Sequence, residues 1–142
     1  MSKVSAILAR KGNNAVSVQQ DAKVYEALKI MSDKNIGSLV VLEGEKYVGV
    51  FTERDYSRKV ILEGRHSDEI TVGEIMSTGL PSVKPDDTIE RCMLLMSDKN
   101  IRYLPVFDNG QLAGIISISD VVTETILQQK ETINQLQSYI QG

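Results

Sequence analysis

With one cysteine, one histidine and no tryptophan in 142 residues, the chain is short of the side chains that build most metal centres and nucleophilic active sites. The lone thiol, Cys92, forms no internal disulfide and no cysteine-based zinc site. It falls on an apolar helical position, so a buried, inert group is expected. His66 sits in the polar stretch Gly64-Arg65-His66-Ser67-Asp68, the setting of a solvated loop. A Walker loop and a second histidine for acid–base chemistry are both missing, and no enzyme is expected. Long apolar runs are missing as well. Ser38-Leu39-Val40-Val41-Leu42 is far shorter than the ~20 residues that cross a bilayer. The opening MSKVSAILARKG has no signal-type hydrophobic region, and Ser2 stands where myristoylation needs glycine. A cytoplasmic location without a membrane partner is expected. Basic residues (16) are outnumbered by acidic ones (19), a net charge of -3, which argues against nucleic acid as a partner.

What is present is repetition. Met31-Ser32-Asp33-Lys34-Asn35-Ile36 recurs letter for letter as Met96-Ser97-Asp98-Lys99-Asn100-Ile101. Shifting the chain by 65 aligns Ser17 to Asp55 on Ser82 to Asp120 without a gap, and about a third of the positions are identical where chance gives roughly a twentieth. Upstream, Val4-Ser-Ala-Ile7-Leu8 matches Val72-Gly-Glu-Ile75-Met76 at a shift of 68. The chain is an internal duplication.

Each copy has one pattern. Val24, Ala27, Leu28 and Met31, like Ile89, Cys92, Met93 and Met96, recur at helical spacing and form an apolar stripe. Asp87 with Glu90 suits a capping box at the second of these helices. Asn35 and Asn100 suit the left-handed residue that ends each one. Two apolar strands around a Gly-containing turn follow, a hairpin in each copy. Pro105 places its strand at a sheet edge or makes it locally irregular. A second helix starts near Glu53 and near Ile118. Short strands at Val16–Val18 and Ser82–Val83 complete an α/β (α+β) unit, β-α-β-β-α, present twice. Copies of roughly 60 residues bury little core alone, so they are expected to pack as a pseudo-twofold pair with a cleft between them.

At the strand-to-helix junction the copies read Gly49-Val-Phe-Thr52-Glu-Arg-Asp55 and Gly114-Ile-Ile-Ser117-Ile-Ser-Asp120, the formula G-h-h-[ST]-x-x-D. A hydroxyl followed three residues later by an acid is a helix-capping box. The same carboxylate also suits the paired hydroxyls of a ribose, through charge-assisted hydrogen bonds of about 1.5–3 kcal/mol each. The glycine lets something approach the strand backbone, and helix N-termini attract phosphate. Arg102, Arg54 and Arg58, with Lys59 and Arg65 behind, are candidate phosphate donors; Arg58 and Lys59 suit the solvated face of a helix equally well. Arg102 replaces Gly37 of the first copy. Carboxylate-held Mg²⁺ at Asp55 and Asp120, in a nucleotide-processing enzyme, is the remaining catalytic alternative.

The doubled β-α-β-β-α unit, the junction formula and the segment Asn100-Ile-Arg-Tyr-Leu-Pro-Val106 resemble tandem CBS (cystathionine β-synthase) domains, the Bateman module. Glu53-Arg-Asp-Tyr-Ser-Arg-Lys-Val60 resembles a segment of stand-alone CBS-pair proteins of bacteria and plant organelles. The resemblance implies a regulatory module binding an adenosine-containing ligand (AMP, ADP, ATP, NAD(P)(H) or S-adenosylmethionine) in the cleft, and signalling energy or redox state to a separate target protein. It implies one site where Val50, Thr52, Arg54, Asp55 and Arg58 face Leu80, Pro81, Ile101, Arg102 and Tyr103. In the other, Ser117 and Asp120 face Ala15, Val16, Ile36, Gly37 and Ser38. The first, holding Arg102 and Arg54, is the better phosphate site. No catalytic cofactor and no metal are implied, and a structural or partner-binding CBS module without ligand is the alternative.

The register of the repeat implies three ranges: 1–68 for an N-terminal helix and the first repeat, 69–126 for the second, and 127–142 for a C-terminal helical extension. Along the last helix, which runs on from Asp120 into that extension, Ile126, Ile133 and Ile140, with Leu136 between, form a narrow seam of about two heptads. It suits a partner subunit in a homodimer or the chain's own N-terminal helix, whose stripe is Val4, Ile7 and Leu8.

Overall fold

The computed structural model describes residues 2–12 and 15–141; Met1 and Gly142, the outer limits of the expected ranges, lie outside the described residues. The elements in chain order are α1 Val4–Lys11, β1 Ser17–Gln19, α2 Val24–Lys34, β2 Ser38–Glu43, β3 Lys46–Thr52 and α3 Glu53–Tyr56. A π-helical turn, Ser57–Ile61, is followed by α4 Val72–Ile75, α5 Ile89–Lys99, β4 Tyr103–Asp108, β5 Gln111–Ser117 and α6 Ile118–Gln141. They form two compact units, Ala15–Leu80 and a second made of Met1–Asn14 with Pro81–Gly142.

In the unit Ala15–Leu80 the sheet order is β1-β2-β3. β1 and β2 are parallel, with Ser17 opposite Val40, so α2 serves as the crossover between them. β3 returns antiparallel and places Thr52 opposite Ser38. Val24, Ala27 and Met31 pack with Leu39, Val41, Phe51, Val60, Val72 and Ile75 in one core. Val40 and Val50 are buried as well, so β2 is covered on both faces. That explains its continuous apolar run, where a half-exposed strand would alternate. α2 ends at Asn35 with φ 53° and its N–H on Met31 and Ser32 carbonyls, while Ile36 N–H reaches Met31. Asparagine takes the left-handed geometry that most residues avoid. The repeated hexamer thus encodes a helix stop.

The second unit repeats this plan. α5 ends at Asn100 with φ 52°, and β4 pairs antiparallel with β5, Tyr103 opposite Ser117. Two expectations change. The counterpart of β1 is a single parallel bridge, Val83 to Val106. In the first copy Gln20 N–H donates to Leu42 O; Pro85 holds the equivalent place, has no N–H, and the strand stops. β4 is therefore irregular on that side, with Pro105 still accepting from Val83 N–H. The cap of α5 is Thr88, whose hydroxyl accepts from Arg91 N–H. Asp87 instead accepts from Lys84 N–H at 2.7 Å and holds the preceding turn, so the expected Asp87–Glu90 box does not form. Met93 is 40% exposed and lies off the buried stripe.

α1 packs here, not with the first copy. Val4, Ile7 and Leu8 join Ile89, Cys92, Met96, Leu104, Val106, Ile116 and Val121 in one core, and Val4 N–H bonds to Asp87 O. α4, the element that matches α1 in sequence, packs in the unit Ala15–Leu80. Each repeat is thus completed by the helix preceding the other. No helix among the described residues is long and apolar enough to cross a membrane.

Candidate functional site

In the unit Ala15–Leu80 the junction is closed on itself. Thr52, the last residue of β3, caps α3: its hydroxyl oxygen accepts from Asp55 N–H at 3.1 Å, and its own N–H donates to Asp55 Oδ2 at 3.0 Å. The Thr52 hydroxyl also donates to Oδ2 at 3.1 Å. Oδ1 accepts from the Ser77 hydroxyl at 2.8 Å and pairs with Lys59 Nζ at 3.0 Å. Lys59 also donates to Ile75 O at 3.0 Å. Two oxygens therefore meet four donors, their full capacity, and Asp55 is 5% exposed.

The other residues at this end serve the same closure. Glu53 N–H donates to Gly37 O, and Val40 N–H to Val16 O; Ser38 is buried beside Thr52 in register. Val50 exchanges both backbone hydrogen bonds with Ser77. The glycine's role is settled by geometry: a Cβ on Gly49 would lie 2.8 Å from Ser77 O and 2.9 Å from Met76 Sδ. What approaches the strand is the chain's own 76–77 segment, not a ligand. Ala15, Ile36, Arg54 and Leu80 are half-buried, and Arg58 is exposed.

The Asp120 junction is more open. Ser117 N–H donates to Asp120 Oδ2 at 2.8 Å, and Asp120 N–H donates back to the Ser117 hydroxyl at 3.1 Å. Lys11 Nζ from α1 also binds Oδ2, at 2.8 Å, and Ile115 O at 2.9 Å. Among the described residues the carboxylate's contacts are made by Oδ2, and the side chain is 20% exposed against 6% for Asp55. Two substitutions between the copies explain the difference. Ala9 stands where α4's unit has Ser77, at the shift of 68, and Glu124 stands where Lys59 would be. Glu124 is buried and bonds instead to Arg10 and the Ser2 hydroxyl. Arg102 is exposed, and its carbonyl accepts from Ile118 N–H. Ile101, Tyr103 and Pro81 are half-buried.

Sequence reasoning misses Ser77 and Lys11, and leaves Lys59 open between a phosphate donor and a solvated helix face. Only Lys59 carried a local signal, four residues after Asp55 and so on the same helical face. Burial, reinforced by the nearby Asp87 charge, pushes the Cys92 thiol up to about 11, which suits the inert role expected of it. No cluster of three His, Cys, Asp or Glu side chains fit for a metal occurs among the described residues.

A family model described as CBS domain matches residues 4–61 and again residues 72–126. The chain belongs to the CBS-domain family. As a CBS pair it is similar to the structure of a protein with CBS domains from Burkholderia ambifaria MC40-6, at 41% identity and a TM-score of 0.87, covering 90% of this chain and 96% of that one. It is similar also to the CBS domain-containing protein CBSX3, mitochondrial, of Arabidopsis thaliana: 38% identity over 98% of this chain and 72% of the relative. The CBS domain pair of protein MJ0100 was solved with 5-methylthioadenosine and S-adenosyl-L-methionine; it is 25% identical, with a TM-score of 0.78 over 90% of this chain and 98% of that one.

Proposed function

We propose that this CBS pair is a non-catalytic, cytoplasmic regulatory protein that binds an adenosine-containing ligand (AMP, ADP, ATP or NAD(P)(H)) and reports its occupancy to a separate target protein, working as a homodimer. The observation that carries the reading is the Asp120 junction. Its carboxylate is held in place through one oxygen and part-exposed, the state in which it accepts a pair of sugar hydroxyls. Lys11, brought there by α1, supplies the cation that a phosphate needs, with Arg10 beside it on the Asp120 carbonyl and paired with Glu124. On this reading the Asp120 junction, not the Asp55 junction, is the stronger site, reversing the order that Arg102 and Arg54 suggest in the sequence. Thr52 and Asp55 accept a ribose only by releasing Ser77 or Lys59. Adenosine-type ligands on the MJ0100 CBS pair support the choice of ligand class. A sensor also requires that the ligand favour one conformation over another, since equal affinity shifts nothing.

The saturated Asp55 junction favours a second reading, a CBS module whose caps are purely structural. A thermal-shift screen with AMP, ADP, ATP, NAD(P)(H) and S-adenosylmethionine separates the two. A ligand at 100 times its Kd adds about 2.7 kcal/mol of stability. A concentration-dependent rise with at least one compound is expected; no rise with any of them leaves the structural module.

A further inference from the structure

We propose that α6 carries the self-association seam of the chain: Val122, Ile126, Gln129, Ile133, Leu136 and Ile140 pack parallel and in register against the same six residues of a second copy. The inference rests on the homodimer reading above and gives it a surface and an orientation. The six positions are spaced 4, 3, 4, 3 and 4 along one uninterrupted helix, the alternation of coiled-coil a and d sites, and this spacing selects another helix as the occupant. The five apolar ones are all at least 46% exposed, and Gln129 is exposed too. Their face is turned roughly 130° from the one bearing Val121 and Glu124, which seats α6 on its own unit.

Isoleucine falls at each a site and leucine at a d site, the combination that favours two strands. Among the flanking e and g positions of α6 only Lys130 is charged. A foreign helix would find no charge pattern to select it there, and an identical helix meets no repelling row. Gln129 sets the orientation. In a parallel, in-register pair it lies beside its own counterpart, where one amide donates to the other. In an antiparallel pair of the same six layers it faces Ile133 and is left without a partner.

The test uses the full chain. Ile133→Cys, oxidised under native conditions, is expected to give a disulfide-linked dimer, because position 133 faces itself only in the parallel register. Sedimentation should find the wild type dimeric and Leu136→Lys monomeric, with the helix and strand content of the wild type retained in circular dichroism, since Leu136 is 57% exposed on the single chain and packs in neither core. A monomeric wild type overturns both the seam and the homodimer. A dimer that survives Leu136→Lys overturns the seam and leaves a homodimer built on another surface. Failure of Ile133→Cys to cross-link, with cross-linking of the Gln129→Cys/Ile133→Cys double variant, overturns the parallel orientation. Nucleotide binding, scored separately, is untouched by any of these results.

Discussion

Asp55 and Asp120 stand at equivalent places in the repeat and are treated differently by their surroundings. A serine on one arriving segment and a lysine one turn along close the first carboxylate; an alanine and a glutamate at the matching positions leave the second part-open. The cap chemistry was legible, because Ser/Thr-x-x-Asp is a local signal. The occupancy of the outer oxygen was not, because Ser77 lies 22 residues from Asp55 and Lys11 lies 109 from Asp120. The same holds for Gly49, whose position in the motif was clear while the 76–77 segment filling its empty Cβ space was not. Gly49→Ala is expected to destabilise by about 1–3 kcal/mol, because backbone cannot move aside easily. Gly114→Ala, whose new methyl meets only the flexible end of Leu8 at 3.0 Å, should cost less. Urea unfolding of the two variants gives the order, and an equal or reversed cost contradicts this account of the motif. At Cys92, a pKa near 11 leaves roughly one thiol in a thousand ionised at pH 8. Iodoacetamide labelling at that pH should be slow in the native chain and rapid after denaturation; fast native labelling would mean the thiol is not enclosed.

Among the elements, α2 and α5 were the most readable, since a shared apolar stripe and a shared asparagine stop appear on both. The edges of the pattern were less so. Pro85 removes the donor that would extend the strand at Val83, a consequence visible only once the first copy shows Gln20 donating to Leu42. α4 is a single helical turn, too short for a periodicity signal, and is held by the box between Thr71 and Glu74. Hydrogen bonds from the Thr71 N–H and hydroxyl, and then the Arg65 charge, lower the Glu74 carboxyl below its ordinary 4.5. A lowered folded-state pKa means a contribution present at neutral pH and lost as pH falls through the folded value. The melting temperature of Glu74→Gln should therefore lie below wild type at pH 7, with the gap closing at acid pH beneath 4.5. A gap that is constant with pH would assign the loss to something other than the charged cap.

For the whole molecule, the duplication and the CBS fold were evident from one-dimensional pattern. The exchange of leading helices was hidden, because α1 and α4 carry nearly the same apolar signature and either could serve either core. That exchange has a functional consequence: it is α1, from the start of the chain, that delivers Arg10 and Lys11 to the junction at residues 117–120. The account therefore stands on Asp120. Calorimetric titration of AMP and ATP into wild type and Asp120→Asn, with Asp55→Asn alongside, tests it most directly. The expected result is saturable binding to wild type of at least one of the two. Asp120→Asn should weaken it by about tenfold or more, roughly 1.4 kcal/mol, and Asp55→Asn should reduce stability more than affinity. An affinity unaltered in Asp120→Asn, or no binding of either nucleotide to the wild type, would contradict it.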